Sequence, residues 1–84
     1  MEQTQRLQSA ILEVVNTQID SNDPPETYQT LERLVAEGYS IKAAKELIGN
    51  IVVAEVFAVL SEGKPFEMTR YVAALHRLPD VLPR

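Results

Sequence analysis

No proline interrupts the sequence between Ile41 and Glu62, and its later part reads IVVAEVFAVL, where every residue but Glu55 is apolar. A run of this length has two ways to fold. Ile51, Val52, Val53, Val56 and Val59 are β-branched and favour a strand. Helix is the better reading, because KAAKEL feeds straight into the run with no turn signal between them. No second segment of the chain reads as a strand to pair with it. The run therefore predicts one long helix, Ile41 to about Glu62, around which the remaining residues must pack.

The flanking sequence supplies three shorter helices. Leu7, Ala10, Ile11, Val14, Val15 and Ile19 fall at helical spacing and predict a helix over about 2–19. DSNDPPE ends it, since a proline excludes the helical conformation for the residue before it. The same segment is expected to open a second helix over 24–37. There Asp23 would be the cap, Pro24 the first helical residue and Glu26 the acid of a capping box. Tyr28, Leu31, Leu34 and Val35 form its stripe. In EGYS, Gly38 suits the left-handed stop, Tyr39 folds back on Leu34, and Ser40 caps the long helix. Gly63 and Pro65 then stop that helix. A fourth helix over 67–77 carries Met68, Tyr71, Val72 and Leu75, with Leu78 just beyond. Phe66 and Tyr71 are spaced to staple its start, and Glu67 sits at its cap. Pro79 and Pro83 predict an extended tail over 79–84. The expected fold is an all-α, single-domain four-helix bundle over 1–84, with a long and largely enclosed third helix.

Sorting that helix at 100° per residue puts Ile41, Ala44, Ile48, Ile51, Val52 and Val59 on one face, with Glu55 in its middle. Lys42, Lys45, Glu46, Gly49 and Asn50 lie opposite. Beyond Asn50 the opposite face continues as Val53, Val56, Phe57 and Leu60, so the later half is apolar all round. Either the other helices enclose it, or one face meets the same helix of a second copy, most simply as a twofold dimer. These four residues are the candidate interface.

Glu55 is the candidate buried polar anchor. A buried carboxylate needs partners or it takes up a proton, and Arg70, Arg77, His76, Tyr28, Tyr39 and Tyr71 are available. With an arginine partner, Glu55→Gln would strand a charge and cost roughly 3–5 kcal/mol. Gly49, inside the helix, costs about 1 kcal/mol relative to alanine, which close approach of another helix would explain.

Few chemistries remain. The chain has no cysteine, which removes disulfides and thiolate zinc sites. His76 is the only histidine, and with Glu55 it would give two ligands where a stable metal site takes three or four. Ser21, Ser40 and Ser61 fall at helix ends, Ser9 lies inside the first helix, and none sits in a nucleophile elbow. Three glycines leave no phosphate-binding loop. No catalytic residue, cofactor or metal site is expected. A net charge of −4 and scattered basic residues argue against a nucleic-acid partner. No apolar run approaches the roughly 20 residues of a membrane span, and MEQTQRLQS is not a secretory leader, so a cytoplasmic protein is expected. At 84 residues the chain buries only about 60–65% of its unfolded surface, and domains this small often gain stability by oligomerising.

LVAEGYSIKAAKELI resembles both a DNA-reading helix-turn-helix and the glycine–aromatic loop of ubiquitin-associated domains, although the long apolar second helix suits neither. A wider resemblance rests on PPE at 24–26, LERL at 31–34, EGYS at 37–40, AE at 54–55, GKPF at 63–66, RY at 70–71 and LP at 78–79. Over residues 22–79 these segments resemble a family of short bacterial helical proteins of unknown function. The resemblance implies an all-α fold and a bacterial origin, and brings no assigned catalytic residues. Glu67 stands where a smaller capping acid is expected. The reading favoured on all these grounds is a non-enzymatic protein–protein interaction module, homodimeric or bound to another protein. A small-ligand or enzymatic site at Glu55 is the alternative, and a helix-turn-helix regulator a further one.

Overall fold

The computed structural model describes residues 2–80, with side chains from Arg6 onward. Four helices make it up: α1 Glu2–Ser21, α2 Pro25–Ala36, α3 Ile41–Glu62 and α4 Met68–Arg77. Among the described residues there is no strand, so IVVAEVFAVL is helical throughout. α3 packs against all three other helices and α2 packs against α1 and α4, whereas α1 and α4 share no close backbone approach. The core is Val15 of α1, Leu34 of α2, Ala44, Ile48, Ile51 and Val52 of α3, and Tyr71, Leu75 and Leu78 at the C-terminal end.

The same stop motif ends α1 and α2. At the end of α2, Gly38 takes φ +109°, the Tyr39 N–H donates to the Leu34 carbonyl at 3.1 Å and the Gly38 N–H to Val35 at 3.0 Å. These are the paired bonds of a Schellman cap, and Tyr39 packs back on the core as expected. At the end of α1, Asn22 takes the left-handed role with φ +54°. Asp23 N–H donates to Gln18 and Asn22 N–H to Ile19. Asparagine tolerates this conformation better than most residues, so α1 runs on to Ser21 before turning. Ser40 caps α3, its Oγ accepting from the Ala43 N–H at 3.0 Å.

The start of α2 differs from the expectation. Pro24 is not helical; it is the N-cap, extended at ψ 152°, and Pro25 opens the helix. The cause is the second proline, which bars its predecessor from helical geometry. Asp23 is thereby displaced outside the cap, Glu26 moves out of the capping-box position, and no side chain caps the helix. Thr27 takes the third helical position and is fully buried. At α4 the staple forms, with Phe66 and Tyr71 edge to face at 5.4 Å, while Glu67 occupies the cap without a side-chain bond. The expected extended tail begins instead with a turn closed by Asp80 N–H on the Arg77 carbonyl; residues 81–84 lie outside the described part.

Enclosure of α3 holds over only part of its length. Buried α3 residues are Ala44, Ile48, Gly49, Ile51, Val52 and Glu55. Ile41, assigned by pattern to the inner face, is 59% exposed. Gly49, assigned to the polar face, is buried because α1 covers that side. A Cβ at Gly49 would lie 3.1 Å from the Ile11 Cγ2 methyl.

Candidate functional site on the third helix

Glu55 lies where the helical wheel places it, on the inner face of α3 and 5% exposed. Of its six possible partners the fold selects Arg70, the third residue of α4. The Arg70 Nε–H is shared between the two carboxylate oxygens, at 3.1 Å to Oε1 and 3.0 Å to Oε2. A single forked N–H is a looser clamp than two parallel bonds from a guanidinium edge. The Nη1 end reaches toward Glu62 Oε1 at 3.9 Å, and the Arg70 side chain stays 40% exposed. One arginine thus joins the start of α4 to the later half of α3. The ligand-binding alternative needs Glu55 with no arginine in reach, and Arg70 is within hydrogen-bond distance of both its oxygens. A shallow depression of about 240 Å³ does occur, but it is lined by Ala10, Glu13, Val14, Thr17 and Gln18 of α1.

The four candidate interface residues come together on the outer side of the same helical segment. Val53 is 41% exposed, Val56 43%, Phe57 70% and Leu60 76%. Phe57 and Leu60 thus leave most of their surface in water, against the usual placement of such residues. Burying side chains of this kind is worth roughly 1.5–3 kcal/mol each. The other helices leave this surface open, and the last buried residue of α3 is Glu55, on the opposite side.

His76 is exposed on the last turn of α4. Among the described residues no three of His, Asp and Glu are grouped to hold a metal ion, and no helix is long and apolar enough to cross a membrane. In the α3 turn that would contact DNA, Lys42 is exposed and Lys45 half-buried.

Two polar links between helices, at Gln18 and at Arg33, have no spacing signal in the sequence. The Tyr71 hydroxyl and the Thr27 hydroxyl both donate to Gln18 Oε1, each at 2.8 Å. That node ties α4 and α2 to α1, and is a link between the two helices whose backbones do not meet. Burial pushes the Tyr71 phenol above its ordinary pKa, and its hydrogen bonds with Thr27 and Gln18 oppose the shift. Arg33 of α2 bonds Glu37 at 3.0 Å and also donates to the Leu75 carbonyl of α4 at 3.1 Å. Both serve packing.

No family model, curated protein or solved structure matches the chain. Its resemblance to the bacterial helical family therefore rests on the sequence segments quoted above.

Proposed function

We propose that this protein is a non-enzymatic helical interaction module that self-associates through the outer face of α3. The observation that carries the reading is the exposure of Val53, Val56, Phe57 and Leu60 as one continuous strip on a rigid helix. A second copy is the fitting occupant because the strip is narrow, straight and of helical pitch, the shape that another copy of the same helix presents. A seam of one helix on its copy falls at the small end of interface sizes, below about 1,200 Å² in total. The association is accordingly micromolar and dynamic.

Sedimentation equilibrium across the micromolar range tests this. The wild-type chain is expected to pass from monomer to dimer. Phe57→Ser with Leu60→Ser is expected to remain monomeric with unchanged helical circular dichroism. A monomeric wild type throughout that range, or a double variant that dimerises as well as wild type, overturns the reading.

A further inference from the structure

We infer that the second copy docks antiparallel, with Val53 of one chain against Phe57 of the other, and with Glu46 and Lys64 closing the two ends of the seam as reciprocal ion pairs. This rests on the self-association reading and specifies its geometry. It follows from which exposed residues share a line along α3.

Glu46, Asn50, Val53, Phe57 and Leu60 follow one another at alternating steps of four and three, and all five are exposed. That is the seam of a two-stranded coil, in which each residue lies almost directly above the last. Lys64 is not part of the helix: it stands exposed at the C-terminal end of this line, one residue past the left-handed Gly63, and its long flexible side chain can reach back to the end of the seam. Glu55 falls on the side away from this line, which agrees with its burial against Arg70. Ala54 and Ser61 flank the line, exposed and small, so a second backbone can come close.

A twofold axis crossing α3 at the level of Glu55 carries Val53 onto Phe57, Asn50 onto Leu60 and Glu46 onto Lys64. Val53 and Phe57 then meet in the centre, each Leu60 lies against the partner's Asn50 on either side of them, and each end carries one opposite-charge pair. Turning the second helix parallel instead sets Glu46 against Glu46 and Lys64 against Lys64, a like-charge arrangement that disfavours the complex. The antiparallel arrangement also sets the two helix dipoles head to tail. The charge pattern therefore selects direction and register, while the apolar strip supplies the affinity.

Charge exchange separates these two contributions. Glu46→Lys alone and Lys64→Glu alone are each expected to weaken homodimerisation about tenfold at low salt, with the loss shrinking as salt screens the pairs. An equimolar mixture of the two variants is expected to recover wild-type affinity as a heterodimer, because both end pairs are again opposite in sign. The doubly exchanged chain is expected to pair with itself and not with wild type. Because the natural chain has no cysteine, Val53→Cys mixed with Phe57→Cys gives an independent readout: the mixture should form a disulfide dimer and Val53→Cys alone should not. If the exchanges leave affinity unchanged, or Val53→Cys crosslinks to itself, the register is overturned while self-association stands. A monomeric wild type removes both.

Discussion

The two halves of α3 are both apolar, yet the fold treats them differently. From Ala44 to Val52 the helix is covered on two sides: α2 and α4 share its inner face, and α1 presses Ile11 against Gly49. From Val53 to Leu60 one residue, Glu55, is buried, and it is held by an ion pair instead of by apolar packing. The difference lies in where the neighbouring helices pack, not in the hydrophobicity of the segment. An apolar helical run therefore does not by itself report how much of its surface the fold covers.

The comparison makes unequal demands on matched substitutions. Ile48→Ala, in the covered half, should cost about 2–5 kcal/mol through lost burial and the cavity left behind. Leu60→Ala, at a dilution where the chain is monomeric, should stay within about 0.5 kcal/mol. Urea denaturation of both variants measures the contrast. Equal losses would mean that the later half is packed within its own chain.

Of smaller but still large effect is the ion pair that tethers the open half. Arg70→Met leaves the Glu55 carboxylate buried without its cation and should cost about 3 kcal/mol. Glu55→Gln leaves the positive charge on a side chain that is 40% exposed, with Nη1 3.9 Å from Glu62 and Nη2 buried without a partner, and should cost about 1–2 kcal/mol. The roughly 3–5 kcal/mol expected from sequence assumed that both partners were dry. Thermal melts of the two variants decide it, and a Glu55→Gln loss matching that of Arg70→Met would show the guanidinium to be as desolvated as the carboxylate.

Much of this fold was legible because its signals are local. Gly38, Ser40 and Gly63 act within a few residues of themselves, and Phe66 reaches Tyr71 across one helical turn. The inner position of Glu55 followed from periodicity alone. What stayed hidden depends on three-dimensional neighbours or on two local rules in conflict. Pro24 satisfies the rule for a first helical residue, but Pro25 imposes the stronger one on it. Arg70 stood among six candidates for Glu55, since a helical wheel fixes a direction and not the element met there. Gln18, Thr27 and Tyr71 come from three helices, and no spacing links them. Ile41 shows the remaining limit: pattern assigns it inward, but it stands at the helix start, where nothing covers it.

The smallest effect probes the border of the covered half, where Tyr71 meets Phe66 on one side and Gln18 on the other. Tyr71→Phe keeps the ring and removes one donor, while Gln18 Oε1 still accepts from Thr27. The loss at neutral pH should therefore be about 1 kcal/mol. The pH dependence is more specific. Burial raises the folded-state pKa of Tyr71, whereas in the unfolded chain the phenol titrates near about 10. Between those two values the folded chain binds more protons than the unfolded one, so stability falls as pH rises. Below the unfolded value both states are protonated and this contribution is fully retained. Urea midpoints measured from neutral into alkaline pH should thus converge, the wild type losing its advantage as the phenol ionises. Parallel curves would mean that Tyr71 is solvated, placing the edge of the covered half before α4 instead of along it.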